Sequence, residues 1–94
     1  MEHSLDLDKL RKEIRDVTAD IMKLAGRRLL LARKLGAEKR RRDLPVEDLE
    51  VEQELKKTIL ENCREYGVEK RFSIKLLNLL IDQAKQVQKE LEGC

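Results

Sequence analysis

The chain is nearly devoid of histidine, aromatic residues and long apolar runs. Its one histidine, His3, lies in the first few residues, a stretch expected to be disordered, so a histidine-based catalytic site is not expected. Tryptophan is absent, and a single Phe and a single Tyr give 2% aromatic content, too little for stacking platforms that hold single-stranded nucleic acid. The two cysteines, Cys63 and Cys94, are isolated and lack metal-ligand spacing; they read as reduced cytoplasmic thiols, with Cys94 on a frayed tail. No metal site and no cofactor is expected, and no Gly-rich loop suited to phosphate is present. No run of about 18 apolar residues exists to cross a membrane. The opening MEHSLDLDKL lacks the apolar core of a secretory signal, so a cytoplasmic protein is expected. Charge is balanced as well: 21 Lys and Arg face 19 Asp and Glu, a net of +2 that does not favour nucleic acid as a partner.

What remains is charge and aliphatic carbon. Charged residues make up 43% of the 94 positions, and the apolar ones are mostly Leu, Ile and Val. That mixture suits long amphipathic helices in a single all-α domain spanning residues 1–94. The first helix is expected over about residues 7–41. Its apolar positions Leu7, Leu10, Ile14, Val17, Ile21, Leu24, Leu31 and Leu35 follow steps of three and four, with one step of seven. Pro45 lacks an N–H and pushes Leu44 out of helical geometry, which places the break. A second helix over about 47–66 carries the stripe Val51, Leu55, Ile59 and Cys63 and ends at Gly67. A third over about 69–91 presents Phe72, Leu76, Leu77, Leu80, Ile81, Ala84, Val87 and Leu91. Two shorter helices do not cover the seam of a helix ~50 Å long at about 1.5 Å per residue. An intertwined helical homodimer is the expected remedy.

Four long polar side chains interrupt the apolar faces. The heptad rhythm 7, 10, 14, 17, 21, 24 continues to 28, where the chain has Arg28. A cation on a core seam is costly unless an anion meets it. Lys39 follows Arg28 by nearly three turns and shares its face. Glu52 edges the stripe of the second helix, and Gln88 lies on the apolar face of the third. Taken singly, each has an ordinary explanation: a structural ion pair, a snorkelling stem or a solvated charge. Taken together, they are expected to line a polar pocket within a helical bundle.

On these residues the chain resembles the all-helical family of chorismate mutases, from about Leu7 to Leu91. The first helix matches through Leu10-Arg11-x-x-Ile14, Arg28 and Gly36-x-x-Lys39. The next segment matches through Pro45-Val46-x-Asp48-x-x-x-Glu52, and the third helix through Leu76-Leu77-x-Leu79-Leu80-Ile81 and Gln88. The resemblance implies the Claisen rearrangement of chorismate to prephenate, on the route to phenylalanine and tyrosine, in a homodimer with shared active sites. It implies that Arg28 and the partner subunit's Arg11 bind the two substrate carboxylates. It implies further that Lys39 and Gln88 face the ether oxygen, and that Glu52 and the backbone near Asp48 hold the ring hydroxyl. Two positions depart from the family pattern: Val51 stands where an Arg is frequent, and Ala84 where a small polar residue is.

A unimolecular pericyclic reaction needs no nucleophile, metal or cofactor. It needs orientation of a dianion and stabilisation of charge growing on the ether oxygen. Arg11 and Arg28 are ~25 Å apart on one helix, at about 1.5 Å per residue, so two chains are needed to bring both to one small molecule. Three rival readings remain: an isochorismate-pyruvate lyase of the same general fold, a non-enzymatic helical dimerisation module, and a nucleic-acid binder resting on the basic run from Lys39 to Arg42.

Overall fold

A computed structural model describes the backbone of residues 2–92 and the side chains of residues 6–90. Among them lie three helices and no strand: α1 (Glu2–Arg41), α2 (Leu49–Asn62) and α3 (Lys70–Glu92). The long α1 begins at Glu2, ahead of the expected residue 7. The apolar rhythm starts only at Leu7, so periodicity gave no sign of the polar turn before it. The backbone of His3 therefore belongs to α1. The side chains of His3 and Leu91, and all of Cys94, lie outside the described residues.

Both helix ends before the linkers are closed by paired backbone hydrogen bonds. At the end of α1, Leu44 N–H donates to Lys39 O at 2.8 Å and Asp43 N–H to Arg40 O at 3.3 Å. Asp43 takes the left-handed conformation (φ 56°) that this motif requires, and Pro45 then prevents helical continuation. After α2, Val68 N–H donates to Cys63 O at 2.9 Å and Gly67 N–H to Arg64 O at 3.1 Å, around Gly67 at φ 70°. Gly67 thus closes the chain reversal where the sequence indicates, but it lies beyond the C-cap of α2, which is Cys63. Regular α-helix stops earlier than residue 66, because residues 63–67 wind into successive turns.

Among the described residues α3 packs against both α1 and α2, while α1 and α2 do not pack on each other. The molecule measures 63 × 29 × 14 Å. Its thinnest dimension is close to the diameter of about 10–12 Å of one helix with side chains. The three helices therefore form a single layer. The core is correspondingly small: Ala32, Cys63, Leu77 and Val87 are its buried apolar residues. The N-terminal half of α1 has no cover, and Leu7, Leu10, Ile14, Val17, Ile21 and Leu24 are 48–67% exposed. Stable domains bury such a stripe against a second layer.

The closest helix–helix approach is marked by Gly36 of α1. A Cβ there would lie 2.7 Å from Gln88 Cγ, 3.1 Å from its Cβ and 3.3 Å from its Cα. The crowding reaches the backbone of α3, so a rotamer change cannot relieve it. Gly26 meets nothing within 4 Å. Gly36→Ala is therefore expected to destabilise the fold by about 1–3 kcal/mol through overpacking. Gly26→Ala should stabilise it by up to about 1 kcal/mol through helix propensity. Urea denaturation at one fixed protein concentration measures both; equal signs would contradict the assigned packing.

Candidate active site

A pocket of about 230 Å³ opens between the last turns of α1, the linker, the first turns of α2 and the C-terminal half of α3. Arg28, Lys39, Asp48, Glu52, Lys85 and Gln88 supply its polar lining. Leu35, Val46, Val51, Leu55, Ile81 and Ala84 form its walls. Five of the six residues selected from sequence thus meet in one place. The sixth, Arg11, does not: its side chain is 64% exposed on the uncovered half of α1 and pairs with Asp8 at 3.6 Å.

Lys39 is the best-defined group. The approach of α3 at Gly36 roofs it, leaving 9% of it exposed, and Gln88 is 5% exposed. Its ammonium donates to Val46 O at 2.9 Å and to Gln88 Oε1 at 3.2 Å. An ammonium has three N–H donors and no acceptor capacity. Lys39 therefore has a third donor for a ligand. It also orients the Gln88 amide: Oε1 must face Lys39, which leaves the Nε2 hydrogens to point elsewhere. The bond to Val46 ties the linker to α1 and so positions Asp48 and Glu52 behind it.

Arg28 is half-buried and donates from Nη1 to Leu80 O at 2.9 Å. One arm of the guanidinium is fastened to α3, and the rest of the fork is left for an anion. Asp48 stands at the N-cap position of α2, but its side chain makes no capping hydrogen bond. The carboxylate of Glu52 is paired with Lys85 Nζ at 2.8 Å, and Glu47 reaches the same ammonium at 3.1 Å. Hydrogen bonding to Glu52, and then to Glu47, holds the Lys85 ammonium above its ordinary value of 10.5.

Lys85 was missed by sequence reasoning. A signal was there: it follows Ile81 by four and precedes Gln88 by three, so it borders the same apolar face. Among the described residues no cluster of His, Cys, Asp or Glu could hold a metal ion, and no helix is long and apolar enough to cross a membrane.

The arrangement is a cationic pocket with a preset amide donor, suited to an anion that carries a hydroxyl. Comparison with known proteins agrees. The family profile described as chorismate mutase type II matches residues 10–89. The chain belongs to the chorismate mutase type II family. A chorismate mutase of Methanocaldococcus jannaschii is 31% identical over 84 residues, which cover 89% of this chain and 85% of that protein. No solved structure gives a significant match. Family membership makes this all-helical chain an enzyme of the isomerase class, a chorismate mutase.

The Lys85 contacts carry a pH signature. A lysine held above its ordinary value adds stability that is complete below that value and is lost as pH rises through the folded-state value. The stability difference between the parent chain and Lys85→Met should hold steady from about pH 8 to 10 and narrow above about pH 11. Thermal melts across that range test it; a difference that grows with pH would contradict the pairing.

Proposed function

We propose that chorismate rearranges to prephenate in this pocket, and that a second copy of the chain completes each site. The observation that carries the proposal is the buried Lys39 bonded to Gln88 Oε1, beside Arg28 and Glu52. In the rearrangement the ether C–O bond breaks while a new C–C bond forms, and negative charge grows on the ether oxygen. The free donor of Lys39 and the Nε2 hydrogens of Gln88 stabilise that oxygen, one as a cation and one as a neutral donor. Arg28 holds one carboxylate through its unfastened arm. The carboxylate of Glu52 accepts a hydrogen bond from the ring hydroxyl, and the backbone near Asp48 helps to hold it. No proton is transferred, and the protein's task is to hold the compact conformer.

Two observations support the homodimer. The seam from Leu7 to Leu24 is exposed in the single chain, and the molecule is one helix thick. Two-fold, antiparallel pairing of two α1 helices covers the seam. It also brings Arg11 of one chain, ~25 Å from Arg28 along its own helix at about 1.5 Å per residue, to the pocket of the other. There Arg11 takes the second carboxylate. The family's reaction supports a role on the route to phenylalanine and tyrosine, and the buried free thiol of Cys63 suits a reducing cytoplasm.

The direct test is chorismate depletion by the purified protein, with prephenate identified as product; release of pyruvate from isochorismate instead would favour a lyase. Lys39→Ala should lower kcat/KM by at least about 10²-fold, the scale for one lost donor to a developing oxyanion. Gln88→Glu should be weak at neutral pH and recover as pH falls, because only the protonated acid donates; a flat profile would remove Gln88 from this role.

The shared site has its own test. Arg11→Ala and Arg28→Ala should each be severely impaired. When the two are unfolded together and refolded, random pairing makes about half of the dimers mixed, so about a quarter of all sites regain both arginines. Activity should rise accordingly. Mixed dimers that form without gain of activity would refute the sharing.

A further inference from the structure

Lys85 has no part in the chemistry described so far, although it lines the pocket. Its side chain is 23% exposed, and its ammonium bridges α3 to α2 through Glu52 at 2.8 Å and to the linker through Glu47 at 3.1 Å. Glu47 lies at the rim, with 62% of its side chain exposed, whereas Glu52 is 21% exposed and faces the pocket. The pocket therefore holds three cations, Arg28, Lys39 and Lys85, against two carboxylates, Asp48 and Glu52.

The three cations are used differently. Arg28 donates to a backbone carbonyl, and Lys39 to a backbone carbonyl and an amide. Neither is paired with a carboxylate within the described residues. Lys85 alone is committed to acids. This division has a physical consequence. A dianionic substrate must compete with any unpaired carboxylate for Arg28 and Lys39, and it is repelled by that carboxylate as well. Asp48 and Glu52 both line the pocket, and Glu52 is the one within reach of the Lys85 ammonium, at 2.8 Å. Lys85 occupies that acid.

Resting on the reading of this pocket as the chorismate site, we propose that Lys85 is a positioning residue. It neutralises Glu52 and fixes its carboxylate, so that Glu52 accepts the substrate hydroxyl while Arg28 and Lys39 remain open to the substrate's negative groups. With Arg11 from a second chain, the lining then carries four cations against two carboxylates, an excess that matches a dianion. Lys85 touches no reacting atom, so its removal weakens substrate binding more than it slows the chemical step. The effect works through Glu52 and vanishes when Glu52 carries no charge.

The experiment is a double-mutant cycle on the full-length chain, read by chorismate kinetics. Lys85→Met should raise KM about tenfold while kcat falls less than about threefold, and Lys85→Arg should keep KM near that of the parent. In a Glu52→Gln background, Lys85→Met should change KM less than about twofold, since the pocket-facing acid that Lys85 neutralises is gone and Glu47, its remaining partner, lies at the exposed rim. A tenfold effect in that background would make Lys85 a direct substrate contact and overturn the proposal. So would a folded Lys85→Met with unchanged KM. If Lys85→Met alone does not fold, the Glu52→Gln pair, in which both charges are gone, decides by the same comparison. Lys39→Ala run alongside separates the two levels. Full activity of Lys39→Ala would overturn the pocket assignment and the Lys85 role with it. A crippled Lys39→Ala beside an unaffected Lys85→Met would overturn the Lys85 role alone.

Discussion

The absence of a side chain at Gly36 lets α3 come so close to α1 that Gln88 rests against the α1 backbone. Lys39, one turn further along α1, is buried by that approach. A buried ammonium must find acceptors, because an unsatisfied one costs several kcal/mol. It finds one in the linker at Val46 O and one on α3 at Gln88 Oε1. Three segments are thereby fastened to one charge. The linker in turn delivers Asp48 and Glu52 to the pocket. The site follows from a contact between two helices and from the hydrogen-bonding demand it creates.

The remaining charges follow a similar economy. Arg28 sits where the heptad rhythm calls for an aliphatic side chain, and its desolvation is offset by the Leu80 carbonyl. Glu52 is held by Lys85 across the gap between α2 and α3. Arg28, Lys39 and Glu52 thus each have a fixed partner that leaves part of their bonding capacity unused. That incomplete satisfaction is what a binding site for a polar anion requires. It is also why the chain keeps costly charges on faces that would pack more stably with leucine.

The single-layer shape sets the other constraint. With α3 packed between α1 and α2, the far half of α1 extends beyond any cover. Its apolar seam and Arg11 lie on the same uncovered half. The proposed pairing of two chains answers both features with one interface. In that proposed pairing, a helix stripped of the seam would lose the second layer and the proposed second carboxylate clamp together.

By itself the sequence determined the three helices, the break at Pro45, the chain reversal at Gly67, and the inward faces of Arg28, Lys39 and Gln88. Periodicity, proline and glycine act locally, within one or two turns, and local rules read them directly. Asp48 became legible only through resemblance, because a residue at a helix start has no periodic face of its own. The polar opening turn of α1 and the left-handed Asp43 escaped for the same reason: neither carries an apolar rhythm or a glycine. Only the tertiary structure decided that Gly36 is a point of helix contact, that Lys39 is buried, and that Lys85 neutralises Glu52. Those facts depend on which helix crosses which, at what height and at what distance. Residues 36 and 88, or 52 and 85, are separated by a stretch of chain whose path no local rule fixes. Their meeting is set by how the packed faces come to rest.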